Sequence, residues 1–220
     1  VNDAATIAGD TTGGATEDTS DASGTATVTD TDTGQDSFTA SSGSATYGTY
    51  TMATSGAWAY TLTDSNSAVQ ALAASATMSD SFAVTSSDGT SQTISITITG
   101  ANDAATIAGD TTGAATEDVS TAATGTLTAT DTDTGESSMA DKASTASTYG
   151  TYSMTSGAWT FSLDSTNSAV QALASGSSLS DSLSFASADG TAQTVTITIA
   201  GANDAATIAG DTTGAATEDV

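Results

Sequence analysis

Carboxylates are the side chains that recur here at fixed spacings and have the chemistry to do something. Asp30 and Asp32 return as Asp131 and Asp133, Glu17-Asp18 as Glu117-Asp118, Asp80 as Asp181 and Asp88 as Asp189. An Asn-Asp pair stands at Asn2-Asp3, Asn102-Asp103 and Asn203-Asp204. The 220 residues hold 26 Asp+Glu against one Lys+Arg, a formal charge of -25, with no His, Cys or Pro. Imidazole bases, thiolate nucleophiles and Cys/His zinc clusters are thereby excluded, and one cation, Lys142, makes neither a phosphate clamp nor a nucleic-acid face. Such a polyanion repels nucleic acid and anionic lipid. Clustered carboxylates with backbone carbonyls are the ligand set of a hard divalent cation, so the expected cofactor is Ca2+.

The elements that must position these acids come in two copies. NDAATIAGDTTG starts at Asn2, Asn102 and Asn203, and Trp58, Gln70 and Asp88-Gly89 reappear in phase as Trp159, Gln171 and Asp189-Gly190. A period near one hundred residues is the size of an independent sandwich and too long for a solenoid coil. The expected organisation is repeat 1 over residues 1–100, repeat 2 over 101–201, and the linker and first strand of a third repeat over 202–220. Apolar content is 37% and aromatic content 5%, which raises disorder as an alternative. The alternation of Trp58, Tyr60 and Leu62, of Phe82 and Val84, and of Ile94, Ile96 and Ile98 speaks against it, because disordered acidic chains lack such periodicity.

The fold class read from this pattern is all-β: tandem antiparallel sandwiches of about seven strands each. In repeat 1 the strands are placed near residues 5–8, 24–29, 37–40, 47–52, 57–61, 81–85 and 93–99. Ala68, Val69, Leu72 and Ala73 have helical spacing, which predicts one short helix before the sixth strand. Antiparallel connectivity then sorts the acids between the two ends of each sandwich. Glu17, Asp18 and Asp80 fall in loops at one end, and Asp30, Asp32 and Asp88 at the other beside Asn2-Asp3. At the junction of the copies, Glu17, Asp18 and Asp80 are expected to meet Asn102, Asp103, Asp131, Asp133 and Asp189. The same clamp repeats around Glu117, Asp118, Asp181, Asn203 and Asp204. Close carboxylates disfavour one another's charge unless protonated or neutralised by a cation. Asp and Asn also favour turns on their own account, and for Asp10, Asp36, Asp64 and Glu136 the solvated-turn reading stands level with the ligand reading.

Several motifs together carry a resemblance to a known family: the Asn-Asp junction, Glu17-Asp18, Gly24 leading to Asp30-Thr-Asp32, Tyr47-Gly48-Thr49-Tyr50, Gly56-Ala57-Trp58-Ala59-Tyr60, Ala68-Val69-Gln70-Ala71-Leu72, Ser79-Asp80-Ser81-Phe82 and the Ile-Thr-Ile-Thr-Gly-Ala-Asn-Asp ending. Both copies resemble the VCBS repeat, a cadherin-like and immunoglobulin-type module found in tandem in large bacterial surface and secreted proteins, including RTX-type adhesins. The resemblance implies an extension or adhesion role at the bacterial cell surface. The Glu turn, the Asp-bearing linker and the Asp-x-Asp pair look like the ion-sharing interdomain arrangement of cadherins. The chain departs from common members by lacking Pro after Asn-Asp and by its scarcity of Lys.

Enzyme readings fail on their requirements. A glycosidase carboxylate pair needs a deep cleft lined with sugar-stacking aromatics, whereas Trp58 and Trp159 stand at core spacing. An isopeptide staple needs a Lys in each copy, and only the second has one. Three non-enzymatic roles follow: a calcium-rigidified repeat extending a surface adhesin or extracellular fibre, a module whose end loops grip a carbohydrate or surface, and a filament subunit in which residues 202–220 add a strand to an identical chain. The expected partners are neighbouring repeats, possible copies in a fibre and a possible carbohydrate, with no nucleic acid and no membrane insertion, since no apolar run reaches about 18 residues. Val1 is not a native start, so any export signal is expected outside these residues.

Overall fold

A computed structural model describes residues 2–218. The chain divides into two compact units: everything up to Ile107 together with Thr128–Met139 and Ala186–Thr191, and Ala108–Leu127 with Ala140–Phe185 and the residues from Ala192 onward. The first unit thus takes in repeat 1 and two loops of repeat 2. No helix among the described residues is long and apolar enough to cross a membrane.

Repeat 1 runs β1 (Thr6–Gly9), β2 (Thr12–Thr16), β3 (Ala22–Thr29), β4 (Ser41–Ser44), β5 (Gly48–Met52), β6 (Ala57–Leu62), α1 (Ser67–Gln70), β7 (Thr77–Thr85) and β8 (Ser91–Thr99). Its strands form a five-stranded sheet, β1-β3-β6-β5-β4, and a three-stranded sheet, β2-β8-β7. Repeat 2 repeats the plan with β9 (Thr106–Gly109), β10 (Thr112–Thr116), β11 (Ala123–Thr130), β12 (Lys142–Ala146), β13 (Gly150–Thr155), β14 (Ala158–Leu163), α2 (Ser168–Gln171), β15 (Ser178–Ala186) and β16 (Ala192–Ala200). The all-β tandem sandwich is as the alternation predicts.

The inward rows are those with period two. Trp58, Tyr60 and Leu62 from β6 meet Phe82 and Val84 from β7 and Ile94, Ile96 and Ile98 from β8, all buried. Phe82 organises the aromatic part, stacked on Tyr50 at 4.4 Å and edge-on to Trp58 at 6.0 Å between ring centroids. In the second unit, Trp159, Phe161, Leu183, Val195, Ile197 and Ile199 occupy the matching positions and are equally buried. Lys142 lies over the Tyr152 ring, 5.4 Å from its centroid.

Three local expectations are corrected, and the expected short helix is found. The strand near residues 37–40 is only an isolated bridge, Phe38 to Ser86, and the edge strand forms three residues later as β4. Phe38 is a buried plug rather than one rung of an alternating ladder, and its N–H goes to the Thr54 carbonyl. The first strand is followed by a second, β2, making eight strands per repeat: at Gly9, with φ of 84°, the chain leaves β3 and pairs in parallel with β8. The helix is a single turn, capped by the Asn66 side chain. Residues 201–218 form no strand, and Ile208 is 87% exposed. In repeat 1 the same residues are held by β3 and β8, and no such partner stands beside 201–218 among the described residues. Asp219 of the expected Glu218-Asp219 turn lies outside them.

Candidate metal centre

The centre is built on backbone amides of the linker, every second one of which is held by a carboxylate. Ala101 N–H donates to Glu17 Oε2 at 3.1 Å, Asp103 N–H to Asp133 Oδ2 at 2.9 Å and Ala105 N–H to Asp189 Oδ2 at 3.1 Å. An extended segment turns alternate N–H groups the same way, so a row of acids matches it. The pattern recurs ahead of β1, where Asp3 N–H donates to Asp32 and Ala5 N–H to Asp88, and after β16, where Ala202 N–H donates to Glu117. Of these acids, Asp133 and Glu117 each spend one oxygen on a linker amide and keep the other without a partner.

The loop Asp131–Glu136 shows what the remaining oxygens face. Asp131 Oδ1 accepts from the Asp133 N–H at 2.9 Å, and Gly135, with φ of 92°, folds the loop back so that Glu136 returns toward the aspartates. One oxygen from each of Asp131, Asp133 and Glu136 lies within 4.8 Å of the others. Asp131 Oδ2, Asp133 Oδ1 and Glu136 Oε2 are buried without any hydrogen-bond partner, and Asp133 as a residue is 2% exposed. Buried polar atoms are nearly always paired, and converging unpaired anionic oxygens are costly to leave so. The loop also donates the Thr134 N–H to the carbonyl of Ala71, the residue capping α1, at 3.1 Å.

Glu17, Asp18 and Asp103 complete the surroundings. Glu17 is 1% exposed, and its Oε1 accepts from the Gln70 side chain at 3.0 Å, which also reaches Asp18 at 3.3 Å. Burial pushes the Glu17 carboxyl up; the bond from Ala101 pulls it down, but the charges of Asp103, Asp18 and Asp133 keep the net shift upward. Asp103 is raised by burial and then by Asp133, Asp18 and Asp131. Glu136 is raised by burial and then by Asp133, Asp131 and Asp189. These groups behave as a mutually repelling cluster. A hard divalent cation fits it: the donors are anionic oxygens, several lack any protein partner, and the chain's single Lys is engaged with Tyr152.

The structure brings together Glu17, Asp18, Asp103, Asp131 and Asp133, and adds Glu136. The signal for Glu136 was present in the Asp-x-Asp-x-x-Glu spacing. Asp80 goes elsewhere: it sits within β7, 6% exposed, and accepts from the N–H groups of Thr46, Tyr47 and Ser81 and from the Tyr60 hydroxyl. Burial works to raise its carboxyl, but these bonds outweigh it and hold it below the usual range. Asp181 is likewise taken by Thr148, Tyr149 and Ser182. Asn102 turns its side-chain amide to the Asp103 carbonyl, and Asn203 does the same with Asp204. Beside β1, Asp30 Oδ2 is buried and unpaired next to Asp3 and Asp32, and Asn2 is exposed. In the second unit Glu117 is fully buried with Oε1 unpaired, while Asp118 accepts from Gln171.

Asp88 and Asp189 are saturated by hydrogen bonds. Asp88 accepts from the Ser86 and Thr90 hydroxyls and the Ala5 and Thr90 N–H groups, which hold its carboxyl far below the ordinary value of 3.8. A folded pKa below the unfolded one gives stability that is present above the ordinary value and lost as pH falls through the folded value. Acid unfolding of Asp88→Asn is therefore expected to start from lower stability at neutral pH and to decline less steeply below about pH 4. An acid limb as steep as that of the parent chain would contradict this role.

Residues 2–100 match the family model of the bacterial cadherin-like domain. No curated protein matches the chain in sequence. Among solved structures the chain is similar to protocadherin gammaB7 EC3-6, in a cis-dimer structure, at 15% identity over 92% of this chain and 48% of that one, with a TM-score of 0.52. It is also similar to the extracellular cadherin domains 3–6 of protocadherin gamma B2, at 13% identity over 92% and 51% with a TM-score of 0.44, and to an I-band fragment of titin, at 8% identity over 89% and 65% with a TM-score of 0.41. The chain spans about half the length of the protocadherin structures. The first repeat is thus similar in sequence to the bacterial cadherin-like domain, and the chain has a cadherin-like fold in two tandem domains.

Proposed function

We propose that the chain is a non-enzymatic, calcium-binding structural repeat of an extracellular bacterial adhesion protein, with repeats of the VCBS type bounded at residues 1–100 and 101–201 and a third opening at 202. Bound calcium neutralises the junction carboxylates and stiffens the linker between successive repeats, which extends the adhesin from the cell surface. The observation that carries this reading is that Asp131, Asp133 and Glu136 each bring a carboxylate oxygen within 4.8 Å of the others and each hold a buried oxygen without a hydrogen-bond partner. Asp131, Asp133 and Glu136 hold the ion, with Glu17 and Asp103 beside them; the ion supplies charge neutralisation. The hollows beside Asp18–Asp21 and Asp64, and beside Thr106, Thr130 and Asp131, are lined by no aromatic ring, so neither offers a platform for stacking sugar.

Thermal unfolding of the chain in calcium and in excess chelator tests the proposal. Calcium at 100 times its dissociation constant stabilises the folded state by about 2.7 kcal/mol per site, which raises the melting temperature by roughly 10 °C for a domain of this size. The shift is expected to vanish in the joint variant Asp131→Asn, Asp133→Asn. Equal melting temperatures in calcium and chelator would leave the acids as solvated turns.

A further inference from the structure

The two repeats carry the same loop with one chemical difference. Asp30-Thr31-Asp32-Thr33-Gly34-Gln35 matches Asp131-Thr132-Asp133-Thr134-Gly135-Glu136. The backbone is built alike: Asp32 N–H donates to Asp30 Oδ1 at 2.8 Å where Asp133 N–H donates to Asp131 Oδ1 at 2.9 Å, and the residue-35 and residue-136 amides each donate to the second aspartate's carbonyl at 3.3 Å. Both glycines have positive φ, 82° and 92°. The sixth side chain turns inward in both loops, because Gln35 Oε1 and Glu136 Oε2 are each buried without a partner, as are Asp30 Oδ2 and Asp131 Oδ2. An amide that merely filled space would be expected to use its carbonyl oxygen on a neighbouring N–H. Gln35 instead keeps its oxygen without a partner, as Glu136 does.

We propose, resting on the calcium reading above, that Glu136 sets the strength of the Asp131–Asp133 centre and that Gln35 makes the Asp30–Asp32 loop a weaker counterpart for the same cation. Calcium affinity is tuned by the number of charged ligands and the rigidity of the site. The loop geometry is matched, so charge is the variable: an amide oxygen still coordinates a hard cation but contributes no net charge. The second loop has a further advantage, since Asp133 is 2% exposed with Oδ1 unpaired. The chain therefore loads in order, the 131–136 loop at low calcium and the 30–35 loop at higher calcium.

Calorimetric titration of the full chain with calcium alone, beside Glu136→Gln and Gln35→Glu, decides this. The parent is expected to show two classes of site separated by roughly tenfold or more. Glu136→Gln weakens the tighter class by a similar factor, and Gln35→Glu tightens the weaker one. The substitutions lie in different loops, so either reports if the other fails to fold, and unfolding in chelator shows that each variant is folded. Calcium binding with both variants within twofold of the parent overturns the assignment of residues 35 and 136 while leaving the calcium reading in place. Absence of calcium uptake by the parent overturns both.

Discussion

Asp80→Ala destabilises the first sandwich by about 3–5 kcal/mol, the cost of leaving several buried donors unpaired at about 1–3 kcal/mol each. The carboxylate accepts from Tyr47 N–H at 2.7 Å, Thr46 N–H at 3.1 Å and the Tyr60 hydroxyl at 2.7 Å, and Tyr60 is fully buried. Truncation leaves all three without that acceptor, and the Tyr60 hydroxyl is fully buried. The melting temperature of repeat 1 then falls by more than about 10 °C. Repeat 2 supplies an internal control. It has Phe161 where repeat 1 has Tyr60, and Asp181 manages with backbone donors from Thr148, Tyr149 and Ser182. Tyr60→Phe is therefore expected to cost only about 1 kcal/mol, the worth of one ordinary hydrogen bond. Denaturant unfolding that found Asp80→Ala no more harmful than Tyr60→Phe would show that the backbone donors find other partners, and the assigned role would fall.

Gly24→Val has an effect of similar size for a steric reason. Gly24 is registered opposite Trp58, and a Cβ there would lie 2.5 Å from the indole Cζ2; a Cβ at Gly13 would lie 2.6 Å from Cη2. The indole fills the space over these two glycines, 3% exposed, with its N–H donating to the Asp10 carbonyl at 2.7 Å. A valine at 24 displaces the ring, forfeits its burial and orphans that carbonyl, for a loss of about 3–5 kcal/mol, comparable with truncating Trp58 itself. Gly14→Val is the control: a Cβ there meets nothing within 4 Å, so its effect stays within about 1 kcal/mol, the span of strand propensities. In a Trp159→Phe background, indole fluorescence reports Trp58 alone, since the chain has two Trp. Its emission shifts to the red in Gly24→Val and not in Gly14→Val. Equal losses for the two variants would mean that the indole adapts.

The core strands were legible because their apolar residues alternate over uninterrupted runs, as at Trp58, Tyr60 and Leu62. β2 was not: Thr12-Gly13-Gly14-Ala15-Thr16 has the composition of a turn, and it is a strand because it pairs in parallel with β8, some eighty residues away in sequence. Of the two glycines that weaken its propensity, Gly13 is there to admit the indole. Asp80 shows the opposite failure. Its parity with Phe82 and Val84 in Ser79-Asp80-Ser81-Phe82-Ala83-Val84 already put it on the buried face, but its charge suggested a loop. Of the centre, the Asp-x-Asp pairs and the Glu17-Asp18 turn were visible as repeated acids. Glu136 was signalled by the Asp-x-Asp-x-x-Glu spacing, and the positive φ of Gly135 is what turns it back to the aspartates.

The row of carboxylates along the linker bears on how the chain meets proteases. An exposed connection between domains is ordinarily where a chain is cut first, because a protease must draw an extended stretch of backbone into its cleft. Here the amides of Ala101, Asp103 and Ala105 are already bound, to Glu17, Asp133 and Asp189. A protease that recognises its substrate through main-chain hydrogen bonds has to compete for those N–H groups, and cleavage waits on the linker peeling away from three acids. The interaction reads the linker's backbone rather than its side chains, so at the exposed positions Asn102 and Ala104 the protection is indifferent to which small residue stands there.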